Sequence, residues 1–208
     1  MSLKNHLVIM AKAPRIGRVK SRLAKGIGRV GAWAFYRQTL AAVSRPLAAD
    51  PRWTTWLAVS PDGAVHEDRV WPVQSPRFSQ GEGDLGQRMG RAMDIMAPGP
   101  VVIIGADIPD IRPPHITSAF AALGHADAVF GPADDGGYWL VGLKRRPKVS
   151  AIFENVRWST EHALNDTFAN LPKDAKIVLL ETLTDVDEAS DLASSGKSMP
   201  VHNPDLKD

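Results

Sequence analysis

The chain contains no cysteine, which excludes disulfides, thiolate metal sites and a cysteine nucleophile. No Asp or Glu occurs before Asp50, although ten Lys or Arg fall in the first 49 residues. The remaining 159 residues carry 15 bases against 23 acids, so the net charge of +2 hides two stretches of opposite sign. No apolar run approaches the roughly 18 residues needed to cross a bilayer. The first run, Leu7 to Ala11, falls short of the roughly 7–15 residues of a signal-peptide core. No serine sits in a G-x-S-x-G elbow, and the six histidines show no H-x-x-x-H spacing. A cytoplasmic protein with no membrane span is expected.

What is present reads as a globular domain: 44% of residues are hydrophobic and 23% charged over 208 residues. Strand-like runs recur at Leu7 to Lys12, Thr54 to Ser60, Val101 to Ala106, Ala126 to Ala133, Tyr138 to Lys144 and Ile177 to Leu183. Several are unbroken in Val, Ile and Leu, as in strands buried on both faces. Helical segments alternate with them. Lys20 to Ala49 is rich in Ala and Leu, with Gly26, Gly28 and Gly31 expected to split it. Asp84 to Met96 opens with a capping-box pair, Asp84 and Gln87, and its Leu85, Met89, Met93 and Met96 form a core stripe. Pro113 to Leu123 has proline in its first turn, and Ser159 is placed to cap a helix over Thr160 to Leu171. Only Asp134-Asp135-Gly136-Gly137 separates the fourth and fifth strands, too little for a parallel crossover. The expected fold is α/β, with a mixed, mainly parallel sheet between helices. One domain is expected over residues 1–193, followed by a loosely held tail over 194–208.

In open α/β sheets, ligands lie beyond the carboxyl ends of the strands. Four polar features fall there: the basic loop from Lys12, the block ending in Asp107 and Asp110, the pair Asp134 and Asp135, and Asp185-Val186-Asp187. A basic cradle facing carboxylates suits a diphosphate with Mg²⁺ or Mn²⁺ between them, because both ions prefer carboxylate and phosphate oxygens. Asp107 and Asp187 are the candidate metal ligands, and Asp134 or Asp135 the candidate contact with an acceptor. Lys12, Lys20 and Arg22 are the candidate phosphate contacts. Plainer readings stand beside these. Asp110 suits the cap of the helix that starts at Pro113, Asp187 suits the cap of a helix holding Ala189 and Leu192, and Asp134 and Asp135 with two glycines suit a turn. Lys25 and Arg29 read as a solvated helix face. Gly26-Ile27-Gly28-Arg29-Val30-Gly31 matches G-x-G-x-x-G, but it stands too far beyond its strand to bind a dinucleotide. The basic segment breaks up into strand, loop and helix, so no nucleic-acid partner is expected.

Met10-Ala11-Lys12-Ala13-Pro14 followed by Gly17-Arg18-Val19-Lys20-Ser21-Arg22-Leu23-Ala24 resembles the opening of the small bacterial nucleotide-diphospho-sugar transferase-like proteins. Gln80 to Met89, Gly105 to Asp110, Gly131 to Tyr138, Trp158-Ser159-Thr160 and Asp185 to Asp187 fit the same family in the same order. The resemblance implies a glycosyltransferase-A-like, Rossmann-like α/β/α sandwich. It also implies phosphate contacts at Lys12, Gly17, Lys20 and Arg22, base contacts at Gln80, Gly81 and Gly83, and a metal at Asp107 completed by Asp187. The glycine-rich G-G-x-G-x-R opening of sugar nucleotidyltransferases is missing; the Lys- and Arg-bearing loop looks more like that of guanylyltransferases. The expected activity is metal-dependent transfer from a nucleotide-activated donor, first of all a nucleotide-sugar, with Asp134, Asp135 and Lys20 as catalytic groups. Two alternatives remain: nucleotidyl transfer releasing pyrophosphate, and nucleotide binding without catalysis. The fold alone does not choose among them, nor do the residues name the acceptor or the oligomeric state.

Overall fold

Leu7, Val8 and Ile9 are all fully buried; a strand with consecutive buried side chains must be covered on both faces. In the computed structural model, which describes residues 3–145 and 152–194, this strand is β1 (His6–Lys12) near the centre of a seven-stranded sheet. The others are β2 (Thr54–Ser60), β3 (Arg77–Ser79), β4 (Val101–Gly105), β5 (Ala128–Pro132), β6 (Tyr138–Leu143) and β7 (Ile177–Leu179). Their order is β3-β2-β1-β4-β6-β5-β7. Only β6 runs against its neighbours, pairing antiparallel with both β4 and β5, as the short β5–β6 connection requires. The carboxyl ends of the other six strands therefore share one edge of the sheet.

The helices are α1 (Leu23–Ala48), α2 (Leu85–Ile95), α3 (Pro113–Ala122), α4 (Ala163–Ala169) and α5 (Ala189–Ser194). Leu7, Ile9 and Ala11 of β1 pack with Tyr36, Leu40, Val43 and Leu47 of α1 and with Ile116 and Ala119 of α3. Val8 turns to the opposite face, towards Met89, Ala92 and Met93 of α2, with Leu164 and Phe168 of α4 at its margin. Alternation along one strand thus feeds two cores, giving the expected three-layer α/β/α sandwich. Each fully buried Leu, Ile or Val contributes on the order of 1.5–3 kcal/mol. A third, smaller cluster joins Leu23, Ala32 and Phe35 to Val186 and Leu192. There Gly26 meets α5 so closely that a Cβ on it would lie 2.6 Å from the Cβ of Ala189.

Several boundaries differ from expectation. Of the three glycines in α1, only Gly28 leaves helical geometry (φ 78°, ψ 161°); Gly26 and Gly31 continue the helix. Ser159 does not cap the next helix. Its φ of 60° is left-handed, whereas a capping residue takes extended backbone; α4 begins four residues later, after His162. Arg112, not Asp110, precedes α3, and its N–H donates to His115 Nδ1 at 3.1 Å. The three-residue β3 and two 3₁₀ turns at Asp62–His66 and Asp68–Val70 had no sequence signal. β7 stops at Leu179, with one further parallel bridge from Leu183 to Ala133. The tail expected over 194–208 lies, apart from its first residue, outside the described residues. Among the described residues no helix is long and apolar enough to cross a membrane.

Candidate active site

At the shared edge of the sheet a cleft of about 580 Å³ opens over the ends of β1 and β4 and the start of β6. Its wall carries Lys12, Lys20 and Arg22 from the basic loop, Gln80 from the loop after β3, and Asp107, Asp135, Asp185 and Asp187.

The basic loop is tied down at several points. Val19 and Leu23 on either side of Lys20 are buried. The N–H of Ala13 donates to Ser60 O at 2.7 Å, and Trp33 Nε1 donates to Pro14 O at 2.7 Å. Tyr36 holds the end of β1 twice: its hydroxyl accepts from Lys12 N at 2.9 Å and donates to Lys12 O at 3.1 Å. Burial pushes the Tyr36 pKa upward despite the bond to the Lys12 backbone, so this group stays neutral.

At the centre, Lys20 Nζ donates to Asp187 Oδ1 at 2.7 Å and to Asp107 Oδ2 at 3.2 Å. Arg22 Nη1 reaches Asp187 Oδ2 at 3.4 Å. The Lys20 side chain is only 6% exposed, while those of Asp107 and Asp187 are 45% and 36% exposed. Burial by itself lowers the pKa of the ammonium, but the charge of Asp107 and the hydrogen bond and charge of Asp187 outweigh it, and the net shift is upward. The packing of Val186 against Leu23 explains the convergence, because it brings the Asp185–Asp187 segment against the residues just after Lys20. Asp185 stands beside the pair. Burial and then the negative charge of Asp187 push its pKa up to about 6, against the pull of Lys20, with Asp135 and Asp107 adding to the rise.

The two acids after β5 divide their roles. Asp135 lines the cleft and accepts from the N–H of Gly137 at 2.9 Å. Asp134 turns away and accepts from the hydroxyl of Thr184, which precedes Asp185. Gln80 is buried, and its amide donates to Ala58 O at 2.9 Å and Ala11 O at 3.3 Å, joining the ends of β1 and β2 from inside the cleft. Gly17, Gly81 and Gly83 stand outside the cleft wall. Gly81 and Gly83 have φ of 72° and 102°, and Arg91 braces their loop through the carbonyls of Gln80 and Glu82. Lys25 and Arg29 are solvent-exposed. Tyr138 and Trp158 add an apolar stretch to the cleft wall, with their ring centroids 6.3 Å apart.

The sequence pattern singles out neither Tyr36 nor Arg88. Arg88 lines the cleft and donates through Nε to Gly83 O at 2.9 Å. Tyr36 belongs to the apolar stripe of α1, and nothing in that stripe marks its hydroxyl as a partner of Lys12.

The donor chemistry fits a divalent cation shared with phosphate. Asp107 and Asp187 supply hard oxygen ligands, and one ammonium nitrogen already lies between them. Among the described residues no three His, Asp or Glu side chains are arranged to hold a metal by themselves. A cation at this place would take its other ligands from phosphate and water, as Mg²⁺ does when substrate-bound.

Among solved structures, a provisionally named nucleotide-diphospho-sugar transferase from Desulfovibrio desulfuricans G20 is similar at 29% identity. The match has a TM-score of 0.81 and covers 90% of this chain and 84% of that one. The 4-diphosphocytidyl-2C-methyl-D-erythritol synthase of Anaerococcus prevotii matches at 12% identity and TM-score 0.61, over 92% and 95% of the two chains. Glucosyl-3-phosphoglycerate synthase from Mycobacterium tuberculosis, solved with Mn²⁺, uridine diphosphate and glucosyl-3-phosphoglycerate, matches at 13% and 0.55, over 92% and 75%. At such identities the last two show the fold alone, one that serves both nucleotidyl and glycosyl transferases. No curated protein matches the sequence. The family model described as "uncharacterized protein conserved in bacteria (DUF2064)" matches residues 43–160, a span that holds Gln80, Asp107, Asp134 and Asp135 but neither Lys20 nor Asp187. Since that match takes in more than half of the sequence, the chain belongs to the DUF2064 family and carries the glycosyltransferase-A-like fold.

Proposed function

We propose that the protein is a transferase that takes a nucleotide-sugar in its cleft and moves the glycosyl group to an acceptor hydroxyl, releasing nucleoside diphosphate. One observation carries the reading: a buried lysine from the basic loop meets Asp107 and Asp187, from two distant segments, at the carboxyl edge of the sheet. Both signs of charge thus converge where a diphosphate and its counter-ion would lie. The name given to the Desulfovibrio relative supports the same reading.

Lys12, Lys20 and Arg22 bind the phosphates, and Gln80 reaches the base. Gly17, Gly81 and Gly83 shape the two loops rather than touch the donor. Asp107 and Asp187 hold Mg²⁺ or Mn²⁺, which when bound supplies Lewis-acid stabilisation of the leaving diphosphate. Lys20 and Arg22 add charge stabilisation at the same oxygens. As the acceptor oxygen bonds to the anomeric carbon, the bond from that carbon to the diphosphate oxygen breaks and its electron pair leaves with the diphosphate. Asp135 orients the acceptor hydroxyl and takes its proton. Asp134 acts at one remove, by holding Thr184 and the segment that carries Asp185. A chain without cysteine and a nucleotide donor suit the cytoplasm.

The test is a thermal-shift screen of nucleoside di- and triphosphates and nucleotide-sugars, with and without Mn²⁺. A ligand that binds only the folded state raises the melting temperature by mass action. Selective stabilisation by one nucleotide-sugar, with nucleoside diphosphate as product, is the expected result; no stabilisation by any of them would remove the reading. A second reading, nucleotidyl transfer, draws on the three cations Lys12, Lys20 and Arg22 in one cleft, which suit a triphosphate. Pyrophosphate as the product would select it.

A further inference from the structure

Lys20 does more than face a phosphate site. Its ammonium fills the space between Asp107 and Asp187, bonded to both. Its backbone is held in the left-handed region at φ 46°, between the buried Val19 and Leu23. The main chain is therefore fixed, and only the four-carbon stem is free to carry the head group elsewhere. We infer that Lys20 is a resident cation of the Asp107–Asp187 pair, and that a divalent ion enters only in exchange for it, when a donor diphosphate draws the ammonium away. The inference rests on the reading of Asp107 and Asp187 as cation ligands.

The physical reason is charge counting in a confined place. With Lys20 between them, the two carboxylates already have their nearest oxygens engaged and part of their charge neutralised. A divalent ion arriving at the same oxygens meets the positive Lys20 at close range, and Arg22 beside it. A diphosphate reverses this balance, because it offers Lys20 an anionic partner and brings ligands for the metal. Metal and donor then bind with positive coupling, and the coupling is reciprocal. Free metal ions alone would not load the cleft, and the donor would arrive with its ion.

The experiment uses the full chain and Mn²⁺ alone, with free Mn²⁺ read by electron paramagnetic resonance. Lys20→Met removes the resident cation and should bind Mn²⁺ about tenfold tighter than the natural sequence, within the usual range of coupling between sites. Lys20→Arg keeps a cation and should bind as weakly as the natural sequence. The gain should vanish in Lys20→Met combined with Asp107→Asn. Equal or weaker Mn²⁺ binding by Lys20→Met would overturn the exchange, and so would a gain that survives in the double variant. If Lys20→Met does not fold, Lys20→Gln takes its place under the same outcomes. Asp107→Asn in the otherwise natural chain separates the two claims. Loss of Mn²⁺-dependent nucleoside diphosphate binding keeps the reading of the site even if the exchange fails; unchanged binding removes that reading.

Discussion

Two basic regions of this molecule draw most of their cations from the same acid-free stretch of sequence, all but Arg69 of the second, and end in opposite company. Lys20 and Arg22 face Asp107 and Asp187 across the sheet edge. On the outer side of α1, a broad groove is lined by Arg37, Arg45 and Arg69, and among the described residues no carboxylate lines it. Arg37 instead lies 5.0 Å over the ring of Trp33. Composition supplied cations to both places; topology supplied anions to one. Asp107 follows β4 and Asp187 follows β7, both near the shared edge. A cation alone on a surface is hydrated and screened, but one enclosed by carboxylates has a fixed position. Fixed position is what a phosphate site needs.

The sharpest way to break the contrast is Asp107→Asn. It should abolish Mn²⁺-dependent donor binding while the melting temperature without ligand stays close to that of the natural sequence; unchanged donor affinity in calorimetry would mean that the cleft and the groove are equals. Next comes Lys20→Ala against Lys25→Ala. Loss of the buried ammonium should weaken nucleotide binding by about 1.5–3 kcal/mol, the usual worth of a hydrogen bond to a charged group. The exposed Lys25 should change it within error, and matched losses would show that the whole basic segment acts as a diffuse field. Tyr36→Phe tests how the cleft is held. Without its hydroxyl, the Lys12 backbone loses two partners, and stability should fall by about 1–3 kcal/mol in denaturant titration. The smallest effect belongs to Arg37→Ala, expected within about 0.5 kcal/mol in stability and neutral for donor binding; a larger drop in donor affinity would give the groove a share in the function.

The unbroken apolar runs made β1, β2 and β4 visible in the sequence, because burial on both faces leaves no polar punctuation. The four-residue gap before Tyr138 revealed the antiparallel strand. The three-residue β3, with an Arg at its start, carries too little pattern to be seen. Ser159 misled because a hydroxyl before a helical run looks like a cap whatever its backbone angle. In the cleft, each polar strand end was legible, since buried strands rarely stop at aspartate without cause. Which atoms meet was not legible: Lys20 and Asp187 lie 167 residues apart, and it is the third core cluster that joins the segments beside them. The division between Asp134 and Asp135 depends on Thr184, and the clamp by Tyr36 depends on where α1 crosses the end of β1. Neither leaves a mark in local spacing.

The glycine at position 26, dismissed as part of a chance dinucleotide motif, turns out to set how near α5 comes to α1. A single methyl there would collide with Ala189 and push apart α1 and the helix that Ala189 opens. Asp187 stands two residues before that helix, so its carboxylate would retreat from Lys20 although nothing inside the cleft had been altered. The reach of the proposed metal ligand is thus gauged at the back of the molecule, by a hydrogen atom where any other amino acid would place a carbon.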